Sequence, residues 1–230
     1  MTLQEAIKQR HSVRRYVHKP LSTEIVETLR KKIEECNVEG GLHIQLVTNE
    51  TRAFTGLFSY GKFSGVENYI VMVGRKADDL DERVGYYGEQ LVLLAQTLGL
   101  NTCWAGLSYR RVDEAYSVGD DEKLTCMIAL GYGATQGHKR KSKTAEQVSN
   151  ISNDSPEWFR KGVEAVLMAP TAINQQKFSF TLLPNEQDTE DKPKVLAKRG
   201  FSMVGYTKMD IGIARLHFEI GAGTENFDWA

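Results

Sequence analysis

Two parts of the chain repeat the same order of helical and strand patterns. In each part a helical stretch precedes an apolar strand, and a second helical stretch leads to a tryptophan, Trp104 or Trp229. Two glycines stand eleven residues apart in each part: Gly88 and Gly99, then Gly212 and Gly223. Because an ordered set of matching patterns is the signature of a repeated unit, we predict an internal duplication, with one repeat over 1–145 and another over 155–230. The two repeats are expected to form one structural unit.

The composition limits the possible partners and compartments. Of the 230 residues, 41% are hydrophobic and 26% are charged, which is ordinary for a globular protein. The net charge of -1 supplies no general attraction to nucleic acid, and no apolar run approaches the roughly 20 residues of a membrane span. Three separated cysteines without a CxxC pair predict neither a disulfide framework nor a zinc site. We therefore expect a cytoplasmic protein that binds a small molecule, with no metal, nucleic-acid or membrane partner.

Hydrophobic periodicity predicts a mixture of helices and strands. Ser22 is expected to cap a helix, and Ser155 with Pro156 to begin another that runs through Met168. Other helices are predicted over 2–9, 83–98 and 210–220, and strands over 43–47, 69–73, 126–130 and 178–183. A basic, polar stretch over 138–153 is expected to be a linker or a surface segment.

A run of basic residues, Arg10-His11-Ser12-Val13-Arg14-Arg15-Tyr16, follows the first helical stretch. A guanidinium offers a rigid fork of donors that matches phosphate oxygens, and serine adds a small donor. The run therefore predicts an anion site. The alternative is a solvated, basic helix end.

A second polar segment, Ala169-Pro170-Thr171-Ala172-Ile173-Asn174-Gln175-Gln176, lies between a helical stretch and a strand. Pro170 stops the helix and sets a turn. The amides of Asn174 and Gln175 supply both donors and acceptors. The segment indicates a binding loop, and the alternative is a helix-ending loop whose polar residues cap the helix.

These two segments resemble signatures of the nitroreductase family of flavoproteins. The run from Arg10 to Tyr16 is similar to the R-(R/H)-S-x-R-x-(F/Y) element with which that family holds FMN. The segment from Ala169 to Gln176 is similar to its A-P-(S/T)-A-x-N-x-Q segment. The resemblance implies an α+β fold with a mostly antiparallel sheet flanked by helices. It also implies FMN as the cofactor and NAD(P)H as the electron donor.

The chain departs from the family in where the second segment lies. In typical members that segment follows the first one in the same half, and the members are homodimers whose FMN sites are built from both subunits. Here the matching place reads Cys36-Asn37-Val38-Glu39-Gly40-Gly41, and the second segment stands in the other half. The chain therefore resembles a fused pseudo-dimer with one composite site, which implies a monomer or a weak homodimer.

A third stretch, Leu98 to Leu107, resembles a helix end and loop of the family that pass the flavin ring. The resemblance implies four residues beside the ring: Trp104, Ala105, Gly106 and Leu107. Gly106 also permits the close approach of a backbone to a ligand. The alternative is a glycine-ended helix that enters the core.

The resemblance implies that the FMN phosphate binds to Arg10, Ser12 and one of Lys139 or Arg140. The last two are included because Leu130-Gly131-Tyr132-Gly133 is similar to a family strand that precedes a basic phosphate ligand. The alternative for this basic stretch is a solvated linker.

The flavin ring is implied to lie between residues of both halves. The resemblance assigns Arg14 and His11 to the ribityl chain or the pyrimidine edge, where a positive charge stabilises the anionic reduced flavin. The remaining ring contacts come from the second half: Pro170, Thr171, Ala172, Asn174 and Gln175. No protein acid, base or metal is assigned to the reaction.

The implied reaction is a ping-pong hydride transfer from NAD(P)H through FMN to a small, flat, electron-poor acceptor such as a nitroaromatic or a quinone. One alternative is a non-catalytic flavin- or nucleotide-binding protein. Another is a different flavin enzyme of the superfamily, such as a dehalogenase. The short loop predicted over 54–65 argues against a dehalogenase, whose usual lid is long. His43 and His217, in apolar strand and helix patterns, are expected to be core histidines with satisfied hydrogen bonds.

Overall fold

The computed structural model describes residues 1–55, 63–138, 140–184 and 192–230. Within these ranges the helices are α1 (Leu3–Gln9), α2 (Thr23–Gly40), α3 (Leu80–Thr97), α4 (Glu157–Val166) and α5 (Thr207–Ala222). The strands are β1 (Gln45–Val47), β2 (Asn68–Arg75), β3 (Asn101–Ala105), β4 (Glu122–Gly131), β5 (Phe178–Leu182), β6 (Lys194–Arg199) and β7 (Asp228–Trp229). They form an antiparallel sheet in the order β1-β2-β4-β3 and a smaller sheet in the order β5-β6-β7. The predicted α+β fold, with a mostly antiparallel sheet flanked by helices, is confirmed.

The centre of the larger sheet is the antiparallel pair of β2 and β4. β2 pairs with β4 along its whole length, and the residues from Tyr69 to Val73 are completely buried. Alternate residues of β2 face two different clusters, one with α2 and α3 and the other with residues of the 10–16 run. Because both faces are covered, the strand sequence is continuously apolar rather than alternating.

Helices α3 and α5 pack with their backbones in close contact. A Cβ atom added at Gly85 would overlap the carbonyl oxygen of Met209, and one added at Gly212 would overlap the carbonyl oxygen of Glu82. The two contacts are reciprocal, because each glycine meets the carbonyl three residues before the other glycine. Only glycine leaves room for two backbones at this distance, so these positions set the spacing between the two parts of the chain.

The smaller sheet packs on α4 and α5 through aromatic rings. Phe180 of β5 stacks on Phe218 of α5 with the ring centres 5.1 Å apart, and Phe227 meets Phe218 edge-on at 5.1 Å. A single hydrophobic cluster contains residues of both sheets, among them Ile70 and Phe180. The two sheets therefore share a continuous core across α3 and α5.

Helix ends follow from local chemistry, with small shifts from the predicted limits. The Ser22 hydroxyl accepts the backbone N–H of Ile25 at 3.3 Å, as the cap prediction requires. α2 ends at Gly40 because the next residue, the C-cap Gly41, has a left-handed φ of 57°. α4 begins at Glu157, one residue later than predicted, because Pro156 has an extended ψ of 150° and forms the N-cap. α4 also ends before Met168, whereas α3 and α5 are longer than predicted.

Three strands, β3, β6 and β7, were not predicted. β3 occupies part of the stretch that was expected to be a loop, and it pairs with β4, with Cys103 opposite Ala129. β6 is a short, basic stretch that pairs with β5 and β7. Short strands of this kind depend on a partner distant in sequence, which local periodicity does not reveal. The predicted 54–65 loop falls largely outside the described residues.

Candidate functional site

A cavity of about 330 Å³ lies where four segments meet. They are the 10–16 run, the residues after β3, the turn after α4 and the beginning of α5. Nine predicted site residues line the cavity: Ser12, Arg14, Trp104, Ala105, Gly106, Leu107, Pro170, Thr171 and Ala172. The volume falls within the range of small-molecule sites, roughly 300–1,000 Å³. Residues far apart in sequence are therefore brought to one concave site.

The basic run reaches the cavity because it is extended. The backbone N–H of Val13 donates to the carbonyl oxygen of Thr102 in β3 at 3.0 Å, and the Val13 side chain is buried in the core. Side chains alternate along an extended segment, so Ser12 and Arg14 point the other way, into the cavity lining. α1 ends at Gln9 with Arg10 as its C-cap, so the run begins at a helix end and then leaves the helix as an extended segment.

Arg10 and His11 are not in the cavity lining. Arg10 is only 8% exposed. Its Nε lies 3.8 Å from Oε1 of Glu89 and has no hydrogen-bond partner among the described residues. Trp104, which does line the cavity, donates its indole N–H to Oε2 of the same carboxylate at 3.0 Å. Arg10 therefore lies one residue behind the cavity wall, whereas His11 Nδ1 lies 2.9 Å from the carbonyl oxygen of Gln9.

The turn after α4 is held by Asp210 of α5. Asp210 Oδ1 accepts the backbone N–H of Ala172 at 2.9 Å, and its Oδ2 accepts from Gln175 Nε2 at 2.6 Å. Ile173, between these contacts, has a left-handed φ of 46°, which is unfavourable for a β-branched residue. The two hydrogen bonds therefore hold a strained backbone in place at the cavity wall.

Asn174 faces Arg140 rather than the cavity. Its Oδ1 accepts from Arg140 Nη1 at 2.9 Å, and Arg140 Nη2 donates to the carbonyl oxygens of Leu167 and Ala169. Burial lowers the pKa of Arg140 to about 10, and the nearby charge of Arg10 contributes to the shift. Arg140 thus caps the end of α4, and the two guanidinium groups are neighbours. Lys139, the other predicted phosphate ligand, lies outside the described residues.

Asp210 is a cavity-lining residue that the sequence analysis did not select. It is 2% exposed. Burial raises its pKa to about 6, although the hydrogen bonds from Ala172 and Gln175 oppose the shift. An aspartate between Met209 and Ile211 in an apolar helical pattern was the signal that could have identified it, because a buried acid in such a pattern needs partners.

The mouth of the cavity carries exposed apolar side chains. Leu107, Ile173 and Val204 line the cavity and are 75%, 77% and 47% exposed. We call these three residues the apolar rim. They come from three separate segments, so their convergence is a product of the tertiary structure. Exposed apolar side chains grouped around a cavity mark a binding site.

Gly106 is required by a close contact in the cavity wall. A Cβ atom added there would lie 2.6 Å from Cζ of Tyr206. The close contact at this glycine is with a tyrosine ring, and the predicted approach to a ligand stays a prediction. Within the described ranges, no group of three His, Cys, Asp or Glu side chains is arranged to hold a metal ion, and none of the helices there is long and apolar enough to span a membrane.

Several solved structures have a fold similar to that of this chain. A "putative nitroreductase" from Thermotoga maritima has a TM-score of 0.62 and 23% identity, covering 96% of this chain and 83% of its own. A "putative nitroreductase in complex with FMN" from Desulfovibrio desulfuricans has a TM-score of 0.52 and 16% identity, covering 68% of this chain and 99% of its own. A "nitroreductase family protein" from Streptococcus pneumoniae has a TM-score of 0.52 and 13% identity, covering 66% and 100%. No curated protein matches the chain.

The sequence itself matches a family over nearly its whole length. The family described as "Putative TM nitroreductase" matches residues 2–222. That range includes both the 10–16 run and the 169–176 segment, which carried the resemblance, and all the cavity residues. The prediction of the family is confirmed, and the chain belongs to this nitroreductase family.

Proposed function

We propose that the protein is an FMN-dependent oxidoreductase that passes a hydride from NAD(P)H to a small, electron-poor acceptor. The observation that carries the proposal is the cavity, where nine residues implied to bind FMN meet from both parts of the chain. The FMN complex of the Desulfovibrio desulfuricans protein supports the choice of cofactor. When bound, the flavin supplies the hydride chemistry, and the protein supplies position and electrostatics.

The residues present fit the chemistry of FMN. Trp104 and Pro170 offer apolar surface for a flat ring, and Ser12 and Arg14 offer donors at one side of the cavity. Behind the wall, the Nε of Arg10 is buried without a hydrogen-bond partner among the described residues. A buried donor without an acceptor is unfavourable, and a phosphate oxygen is the acceptor that a guanidinium binds best.

The chain's own residues would orient the ring and stabilise negative charge on it. Arg14 places a positive charge at the cavity, which favours an anionic ligand. Asp210 anchors the turn that contains Thr171 and Ala172, so these two residues are held in position before any ligand arrives. Such preorganisation reduces the entropy lost when the reactants meet.

The acceptor is proposed to be a nitroaromatic or a quinone. The apolar rim covers an apolar, flat molecule better than a charged one, because burying apolar surface at the rim is favourable. Among the described residues, the charged ones in the lining are Arg14 and Asp210. The cavity therefore suits a ligand with a small polar group and a larger apolar body.

We also propose that the two parts of the chain descend from one duplicated unit and act as a pseudo-dimer. The reciprocal contacts of Gly85 and Gly212 support it, because a two-fold relation between two copies produces equivalent contacts in pairs. A composite site with elements of both halves in one chain removes the need for a second subunit.

The visible absorption spectrum tests the proposed function. The purified protein is incubated with excess FMN, freed of unbound ligand, and then mixed with NADH or NADPH without oxygen. Retained flavin absorption that bleaches with a nicotinamide supports the proposal. Retained flavin that does not bleach favours the non-catalytic binding protein. Failure to retain FMN contradicts both.

A further inference from the structure

A completely buried carboxylate connects the basic run to the cavity wall. Glu89 of α3 is 0% exposed, as is His217 of α5. Glu89 Oε1 lies 2.9 Å from Nε2 of His217 and 3.8 Å from Nε of Arg10. Its other oxygen accepts the indole N–H of Trp104 at 3.0 Å. One side chain thus touches an implied phosphate ligand, a cavity-lining ring and the second half of the chain.

The hydrogen bonds of His217 determine where its protons lie. Nδ1 lies 3.0 Å from the carbonyl oxygen of Ala165, which can only accept. Nε2 faces Glu89, which as a carboxylate can also only accept. Both Glu89 oxygens face N–H groups, the indole of Trp104 at one and the guanidinium of Arg10 at the other, as a carboxylate does. Both ring nitrogens of His217 thus face acceptors, which a ring protonated on both nitrogens satisfies, and the positive charge of such a ring offsets the charge of Glu89.

Because one carboxylate is shared by a protonated His217 and Arg10, the three groups carry a net charge of +1, and the charge of Arg10 is not fully compensated. The neighbouring cation, Arg140, has its own opposite charge nearby in Asp210. Arg10 itself is 8% exposed, and its Nε lacks a hydrogen-bond partner in the described part of the chain. An uncompensated buried charge is costly, so an anion that binds at Arg10 gains more than it would at an exposed arginine.

We propose that Glu89 and His217 are positioning residues, which keep the charge of Arg10 available for the phosphate of FMN while Glu89 orients Trp104 at the cavity wall. This inference rests on the proposed function, because the anion is taken to be the FMN phosphate. Neither residue needs to touch the cofactor. Because the Glu89–His217 pair carries no net charge, it leaves the positive charge of Arg10 available to an anion. The hydrogen bond from Trp104 to Glu89 holds the indole ring in position.

The test compares FMN with riboflavin, which lacks the phosphate, in two variants. His217→Gln keeps a donor for Glu89 but removes the extra proton, so the carboxylate then neutralises Arg10. The preference for FMN over riboflavin is expected to fall about tenfold, with riboflavin affinity little changed. Glu89→Gln removes the negative charge of Glu89 and, with it, the extra proton on His217 that balanced that charge. The preference for FMN over riboflavin is therefore expected to stay within about threefold of the wild-type value or to rise.

A purely structural role would move both variants in the same direction and weaken both ligands alike, and that result would overturn the inference. If wild type binds FMN but His217→Gln leaves the preference unchanged, the inference fails while the proposed function stands. If wild type binds neither flavin, the proposed function fails and the phosphate assignment fails with it.

A second measurement needs no flavin and is made on the wild-type protein, with a variant used only to assign the signal. Nitrogen-15 NMR of labelled histidine in the wild-type protein reports which ring nitrogens carry protons, and Glu89→Gln identifies the His217 signal by its change. Two protonated nitrogens at neutral pH support the inference. A neutral ring with one bare nitrogen overturns it.

Discussion

Gly85 and Gly212 occupy reciprocal positions in the contact between α3 and α5. Each lies against the carbonyl oxygen three residues before the other, Met209 for Gly85 and Glu82 for Gly212. This contact brings α5 close enough to α3 for Glu89 to reach His217. The spacing of two helices is thus connected to the arrangement of charges behind the cavity.

Gly85→Ala and Gly212→Ala are each expected to lower the free energy of unfolding by about 3 kcal/mol, because the added methyl group forces apart two packed backbones. Urea denaturation measures the effect. Gly119→Ala is the control, since its Cβ would meet the flexible carboxylate ends of Glu122 and Asp121, at 3.3 and 3.4 Å, and it should change stability by less than about 0.5 kcal/mol. Equal stability of all three variants would contradict the contact.

Asp210→Asn is expected to change how stability depends on pH. Burial raises the pKa of Asp210 from 3.8 to about 6 in the folded protein, so the folded state binds this proton more tightly than the unfolded state. Stability therefore falls as the pH rises through this window, and ionisation costs about 3 kcal/mol above it. Asparagine does not titrate, so the variant should lack this fall.

Urea midpoints of wild type and Asp210→Asn at several pH values between 4 and 7 measure the difference. The free energy of unfolding of the variant, minus that of wild type, is expected to grow across this range. Parallel profiles would show that Asp210 titrates at the same pH in the folded and unfolded states, against the effect of burial.

Arg14→Gln is expected to weaken FMN binding at least tenfold, the scale of losing a charge-assisted contact. Arg14 lines the cavity, whereas its exposed neighbour Arg15 does not. Arg15→Gln is therefore the matched control, with the same change of charge one residue away and an expected affinity close to wild type. Fluorescence titration with FMN gives both constants, and equal losses would show only a general electrostatic effect.

Ile173→Ser is expected to raise the KM for an alkyl-substituted nitrobenzene roughly fivefold, because apolar surface at the rim is lost. The KM for nitrobenzoate, whose charge keeps that part of the molecule in water, should change little. Val38→Ser, on α2, removes a side chain of similar exposure, 75%, that does not line the cavity. If Val38→Ser has the same effect as Ile173→Ser, the rim does not select the acceptor.

The pseudo-dimer proposal predicts a monomer. Sedimentation equilibrium of the FMN-loaded protein is expected to give a mass near 25.9 kDa at micromolar concentration. A stable dimer of twice that mass would show that one chain does not complete the assembly.

Local patterns were sufficient for most helices and for the central strands. The capping hydroxyl of Ser22 and the apolar run from Tyr69 to Val73 act over a few residues, so their consequences are visible in the sequence. β3 was missed because its stability comes from pairing with β4, whose paired residues lie 22 to 30 positions further along the chain. His217 was correctly predicted as a core histidine with satisfied hydrogen bonds. The same prediction for His43 was wrong, because its side chain is 40% exposed and its Nδ1 lies 2.8 Å from Glu122.

The candidate site, like the fold, could be predicted only in part from the sequence. The two motifs were enough to identify the family, because residue types in a fixed order are a local property. The contacts behind the cavity were not visible, since Arg10, Glu89 and His217 meet only after α3 and α5 have packed together. Packing also directed Asn174 toward Arg140 and placed Asp210 in the cavity wall. The sequence determines which residue types are present and in what order, but burial and charge pairing depend on segments that meet only in the folded molecule.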